Sequence, residues 1–242
     1  AALCGAGGLC AGGLALGLVR PGGGTACSSG APDPATEAFA QTVKVVPYGV
    51  LGTQLRRDRS VVAVACAPDQ LTAVLDSAGH HVVKAGGPKA AAGAARATYK
   101  WAGIDADDAY AADVVAAVRR AGTAKHYSYA GRQVIHVFGP DLRGLEAGHA
   151  AEALEQLAGA YRAALAEFAA SGLPVLRLLP ISGGILSGPF GGRMPGLTAC
   201  ALKCGFARLT AEQKVAVLGR QVELCIFLEA EIEDFQGALK EC

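Results

Sequence analysis

Charge of one sign is what this sequence lacks most clearly. Its 242 residues carry 22 lysines and arginines against 21 aspartates and glutamates, a formal net charge of +1, and only 18% of them are charged. Such a balance builds no field that would draw in a nucleic acid duplex or an anionic membrane. Closely paired cysteines are lacking too. The eight stand at 4, 10, 27, 66, 200, 204, 225 and 242, with no CxxC among them. Cys200 and Cys204 are one helical turn apart in "CALKC", but zinc needs further ligands and the five histidines are scattered. No metal and no cofactor is therefore expected. The thiols read as ordinary ones, their spread is not that of a small disulfide scaffold, and a reducing, cytoplasmic setting is the expectation. An unbroken apolar run is also missing. The first twenty residues carry no charge before Arg20, but six glycines dilute them and no basic stretch precedes them, so no membrane span is expected.

What the chain does have is 52% hydrophobic residues, much of that alanine, and length enough to bury one sizeable core. Residues 1–40, with "PGGGTACSSGAPDPA", read as a Gly/Ala/Pro-rich extension, and residues 41–242 as the domain. "VKVVPYGVL" opens the domain as a strand, and "SVVAVACA" reads as a second, more buried one. "PDQLTAVLDSAG" has Pro68 at its entrance and Gly79 at its exit, which predicts a short helix. "HHVVKAGG" then gives an extended piece and a glycine turn, and "PKAAAGAARATYKWAG" a helix. "DADDAYAADVVAAVRRAG" predicts another helix, acidic at its start and basic at its end. "KHYSYAGRQVIHVFGP" reads as a hairpin turning at Ala130 and Gly131. Leu154, Leu157, Tyr161, Leu165 and Phe168 fall at three- and four-residue steps, the apolar stripe of the longest helix. It feeds the strand "LPVLRLLPI". Helices near "PGLTACALKCGFA", "TAEQKVAVLGR" and "IEDFQGALKE" and the strand "QVELCIFLEA" complete the chain. Strands alternating with helices, plus one hairpin, predict an α/β fold: a mixed central sheet between two helical layers.

In such folds ligands sit beyond the carboxyl ends of the strands. Two glycine-rich loops follow strand-like stretches, Gly86–Gly87 and Ser182 to Gly188 in "LPISGGILSGPF". Ser182, Gly183, Gly184, Ile185, Leu186 and Ser187 could converge backbone amides on an anion, with two hydroxyls as further donors. A loop of small residues also simply lets a strand meet a helix, and the sequence leaves both readings open. The other polar candidates read mainly as structure. His136 is expected to be a buried histidine bonded to the backbone, Cys66 a small buried hydrophobe, and Asp69 a helix cap. Tyr99 and Trp101 are expected to pack the core, and His80 and His81 to lie in a solvated loop or to contact phosphate.

The stretch from Gly122 to Gly144, with Ile135, His136, Gly139 and Pro140, resembles the hairpin and strand end of macro domains, the viral ones especially. So does Pro180 to Pro189 with that family's Pro-x-Ile-Ser-Thr-Gly loop, and so does the closing "QVELCIFLEAEIEDFQGAL". The resemblance implies a three-layer fold around about six strands and binding of ADP-ribose or a related nucleotide. It also implies losses. Where the family has Gly-Asp-Ile-Thr this chain has Gly49, Val50, Leu51 and Gly52, without the adenine-binding carboxylate. Where the family has Val-Asn-Ala-Ala-Asn, "AVACAPD" places Ala65 and Pro68. Gly183 stands for a threonine and Leu186 for an aromatic. The expectation is a divergent nucleotide-binding module without hydrolase activity. The alternative is a structural or interaction domain that has lost the ligand and meets single-stranded RNA or a protein.

Overall fold

The computed structural model describes residues 33–77 and 86–242. Eight strands are seen: β1 (Lys44–Val46), β2 (Thr53–Leu55), β3 (Val61–Ala63), β4 (Thr72–Asp76), β5 (Ala124–Tyr129), β6 (Arg132–Val137), β7 (Val175–Leu178) and β8 (Gln221–Cys225). Six form the central sheet in the order β1-β8-β7-β4-β6-β5. All neighbours in it run parallel except β5, which pairs antiparallel with β6. β2 and β3 make a separate antiparallel hairpin. The helices are α1 (Pro34–Thr42), α2 (Gly93–Ala102), α3 (Ala112–Ala117), α4 (Ala150–Ser171), α5 (Met194–Ala207), α6 (Ala211–Leu218) and α7 (Ile232–Glu241). The α/β/α layering expected from the sequence is present.

One face of the sheet is thick. Strand positions Ala73, Leu75, Ile135, Val137, Leu176, Leu178, Val222 and Leu224 point into a continuous apolar core. Helix α4 meets them with Leu157, Tyr161, Leu165 and Phe168, all fully buried and spaced on one helical face. α5 lies across α4, and Phe39 of α1 stacks on Phe206 of α5 with ring centroids 4.2 Å apart. Burying a phenylalanine contributes roughly 1.5–3 kcal/mol, so residues 34–40 are part of the folded unit. Residues 1–32 lie outside the described part. The other face is thinner. There α2, α3 and the turn between them cover Val134 and Phe138 with Tyr99, Tyr110 and Val114, and Val74 and Cys225 pack under Val50.

Several local expectations need correction. "PDQLTAVLDSAG" is not a helix. Its middle is β4, buried at every position at the centre of the sheet. A parallel strand covered on both faces carries no alternation to mark it. "SVVAVACA" is not a buried strand. Only Val61–Ala63 pairs, in the outlying hairpin, and two of its three residues are exposed. The helix expected over residues 105–122 shrinks to Ala112–Ala117, because Tyr110 turns inward to bond Tyr99. "HHVVKAGG" falls largely outside the described residues. Cysteines 200 and 242 are not ordinary thiols: they form a disulfide that ties the end of α7 to α5, and Cys204 is disulfide-bonded as well. The Ala130–Gly131 turn is as expected. Both residues have positive φ, 49° and 86°, as a two-residue hairpin with the twist of its strands requires.

A close helix approach gives a test. A Cβ on Gly205 of α5 would stand 2.8 Å from the Arg162 nitrogen and 3.0 Å from the Ala158 oxygen of α4. Gly205→Ala should therefore lower stability by about 1–3 kcal/mol, read as a shift of the urea midpoint. An unchanged midpoint would show that the α4–α5 contact is slack.

Candidate functional site

The carboxyl ends of β4, β6, β7 and β8 share one rim of the sheet, and the loop after β7 lies there. Its geometry is fixed by three contacts. The Tyr161 hydroxyl of α4 accepts the Ile181 amide at 2.9 Å, and burial pushes that phenol above its ordinary range. Ser182 takes a left-handed φ of 58° and donates its hydroxyl to the Pro140 carbonyl at 2.6 Å. Gly188, also at positive φ (53°), lies against Leu142 and Arg143, where a Cβ would meet the Arg143 Cα at 2.6 Å. Across the same seam, a Cβ on Gly139 would stand 2.9 Å from the Ser182 Oγ. "VFGP" and "PISGG" are thus two halves of one locked junction. Between the locks Gly183, Gly184 and Ile185 are exposed, Ile185 at 85%. The space beside Gly184 is open: a Cβ there would meet nothing within 4 Å.

The remaining candidate residues separate. Ser182 cannot also give its hydroxyl proton to a ligand, since the Pro140 carbonyl holds it. Ser187 is buried, and its amide bonds the Gly184 carbonyl at 3.0 Å. Leu186 is half-buried. Gly87 is buried with φ 58° at the start of a 3-10 turn, packed on the backbone at Asp108, and Gly86 precedes it half-buried. No hydrogen bond joins the turn at 86–87 to the loop at 182–187 among the described residues. A groove of about 640 Å³ lies elsewhere, between α1, β1, α5 and α7, lined by Glu37, Val43, Val45, Lys203 and Leu239.

Beneath the rim lies a polar cluster that the sequence reading missed. Asp76, at the end of β4, accepts from the Tyr99 hydroxyl at 2.5 Å and bonds His136 Nδ1 of β6 at 2.9 Å. The Tyr129 hydroxyl bonds His136 Nε2 at 3.0 Å, and Tyr110 donates to Tyr99 at 2.9 Å. Asp76 and His136 are each 1% exposed. His136 therefore satisfies a carboxylate and a phenol rather than the backbone. Burial raises the ionisation of Tyr99, Tyr110 and Tyr129 above the usual 10.0, and the negative charge of Asp76 acts in the same direction. The spacing of these residues carried no local signal: they come from β4, β5, β6, α2 and a turn.

Further placements differ from expectation. Cys66 is exposed with a free thiol, and its carbonyl accepts from Arg177 at 2.9 Å. The free thiol of Cys225 is buried, and burial pushes its ionisation up. Asp69 caps no helix. It accepts from the Leu71 amide and the Thr72 hydroxyl and so shapes the entry to β4, and the Thr72 bond is the main cause that lowers its ionisation. Tyr99 is core, as expected, and Trp101 is partly buried against the same packing. His80 and His81 lie outside the described residues. Pro68, one of the two residues that the resemblance sets at the asparagine positions, is buried, and Ala65 donates its amide to the Gly52 carbonyl at 3.0 Å.

No family model matches the sequence, and no curated protein matches it either. Solved structures do. The macro domain of ganglioside induced differentiation associated protein 2 superposes with a TM-score of 0.50 at 14% identity, over 89% of this chain and 90% of that one. The fold is that of a macro domain. An alphavirus protein, P23pro-zbd, matches with a TM-score of 0.50 at 23% identity, over 74% of this chain but 24% of its own, so this macro fold spans about a quarter of that molecule. An Oceanobacillus iheyensis macrodomain solved with ADP gives 0.48 at 18% identity, over 75% and 88%. In this macro fold the loop after β7 lies at a strand end, and Asp76, which anchors the polar cluster, closes β4 beside it.

Two measurements test the cluster. Asp76→Ala leaves His136 Nδ1 and the Tyr99 hydroxyl without their shared acceptor, and should cost about 3 kcal/mol of stability, read by chemical denaturation. Alkali gives the second. In the unfolded chain the three phenols lose their protons near pH 10, while in the folded chain they hold them to higher pH. Above that pH the native state binds more protons than the unfolded one, so stability is complete below pH 10 and falls as the pH rises. Tyrosinate absorbance should appear together with unfolding. Early ionisation without loss of stability would mean that the phenols are open to solvent.

Proposed function

We propose that the chain is a nucleotide-binding macro-fold module that takes ADP-ribose or a related nucleotide diphosphate on the loop Ser182–Ser187, with the Gly86–Gly87 turn as a second backbone contact, and that it does not hydrolyse its ligand. The observation that carries this reading is the locked, left-handed Ser182. A non-glycine residue in that conformation costs of order 1–3 kcal/mol, and here it is held by the Pro140 bond so that the exposed Gly183 and Gly184 lie at the rim. Backbone amides at such a turn can donate to an anion without any cationic side chain, that of Gly183 excepted, which bonds the Pro180 carbonyl at 3.1 Å. Carboxyl ends of strands are where ligands sit in open α/β sheets.

The case against hydrolysis rests on side chains. Cleavage requires a positioned polar group or an activated water. At the positions that the resemblance assigns to the asparagines this chain has Ala65 and Pro68, whose side chains form no hydrogen bond, and the Asp76 carboxylate at the end of β4 is committed to Tyr99 and His136. Val50 and Leu51, where the resemblance puts an adenine-binding aspartate and its neighbour, join Tyr48, Trp101 and Leu179 in an apolar cluster. Adenine recognition would then rest on packing rather than on a carboxylate. The same losses favour the second reading, a domain that keeps the fold without the nucleotide.

Calorimetry with ADP-ribose separates the two. Saturable heat with a dissociation constant below about 1 mM is expected. Gly184→Val should weaken it by at least about tenfold with an unchanged circular dichroism spectrum, because the space beside Gly184 is open. No heat at millimolar ligand sinks the nucleotide reading and leaves the interaction domain. Release of ADP-ribose from a mono-ADP-ribosylated protein would overturn the absence of hydrolysis.

A further inference from the structure

The hairpin β2–β3 stands outside the central sheet, and its outer edge is open. Its inner side is well anchored. Leu55 of β2 donates to the Phe227 carbonyl at 2.8 Å and bridges Leu228. At its base, Val64 and Ala65 both donate to the Gly52 carbonyl, and Arg177 holds the Cys66 carbonyl. Arg56 donates to the Ser60 carbonyl, and Gln54 is opposite Val62. Residues 60, 62 and 64 therefore bond inward to β2, and the alternation of an antiparallel ladder turns the N–H and C=O of Val61 and Ala63 outward. No described strand pairs with them.

Two further features mark this edge. Register aligns Leu228, Leu55 and Val61 in one row across three chain segments, and Val61 at the open end is 60% exposed. Val64 is 43% exposed beside it. An exposed apolar edge is a pairing template that folded proteins ordinarily blunt with charge or proline. Here the charge sits at the turn instead. Arg56, Arg57 and Arg59 are exposed, and none of them makes an ion pair among the described residues. The acid between them, Asp58, is committed to the Ser60 amide and hydroxyl.

We infer that β3 is a docking edge for an extended acidic peptide, which adds a strand to the hairpin through Val61 and Ala63, continues the Leu228–Leu55–Val61 row with an apolar side chain, and sets carboxylates against Arg56, Arg57 and Arg59. Strand addition draws its affinity from main-chain bonds and its selectivity from alternate side chains. An RNA strand would use the arginines but neither the outward amides nor the valine row. A second copy of the chain would bring a second set of arginines to the same small sheet, which like charge disfavours. The inference is independent of the nucleotide reading, since none of its residues belongs to the loop at 182–187.

Fluorescence anisotropy with a labelled heptapeptide of alternating glutamate and valine tests it, against the same peptide with lysine for glutamate. The acidic peptide should bind at least about tenfold more tightly at low salt, and the difference should shrink as salt rises. Ala63→Pro removes an outward N–H while sparing the inward ladder, and should weaken binding about tenfold or more. Should that variant fail to fold, Val61→Lys changes only an exposed side chain and should give a similar loss. Arg56→Glu with Arg57→Glu should abolish the preference for the acidic peptide. Unchanged binding in Ala63→Pro and Val61→Lys overturns the proposal. So does oligouridylate that displaces the peptide and is itself indifferent to Ala63→Pro, or a concentration-dependent dimer that Val61→Lys disperses.

Discussion

The Asp76 carboxylate is the constraint around which the thin side of this sheet is arranged. A buried charge is tolerable only with partners that satisfy it. Asp76 finds two, Tyr99 from α2 and His136 from the neighbouring strand, and these reach on to Tyr110 and Tyr129. The chain from Tyr110 through Asp76 to Tyr129 joins a turn, a helix and three strands. A network of this kind fixes one register and one helix position, because any slip leaves a buried donor or acceptor unpaired. It also explains why residues 105–111 are not helical. Tyr110 must reach inward, and its ring lies edge-on to both Tyr99 and His136.

The thick side works differently. There the sheet and the helices α1, α4, α5, α6 and α7 meet almost entirely through apolar side chains. Stability on that side grows with area and shape, not with particular polar partners. The loop after β7 is fastened to it through Tyr161, which spans from the core of α4 to the Ile181 amide. The rim therefore inherits the rigidity of the packed layer, and the left-handed Ser182 can be held without glycine.

Legibility in the sequence followed the same division. The long helix α4 was readable because one face of it is buried and the other is not, so five apolar residues fell on a helical stripe. The β5–β6 hairpin was readable from Ala130–Gly131, where local backbone geometry dictates the residues. β4 was hidden for the opposite reason. Covered on both faces, "TAVLD" shows no alternation, and the flanking Pro68 and Gly79 punctuate a strand as readily as a helix. Among the site candidates, the glycines and Ser182 were visible as a loop. The destination of the Ser182 hydroxyl was not, because Pro140 is distant in sequence. The Asp76 cluster was invisible for the same reason, and the Cys200–Cys242 bond because pairing across 42 residues leaves no spacing signature.

The distribution of lost and kept residues then has a physical logic. The junction of Gly139, Pro140, Ser182 and Gly188 is steric: a side chain at either glycine collides with backbone or with the Ser182 hydroxyl, so the sequence there is bound by the fold itself. The positions that the resemblance pairs with a base are not so bound. Val50 and Leu51 can exchange a polar contact for apolar packing with Trp101 and Leu179 without disturbing the sheet. Asp76, by contrast, cannot be freed for a ligand without stranding His136. A macro fold with this cluster has committed its central strand-end carboxylate to structure, and what it can still offer at the rim is backbone.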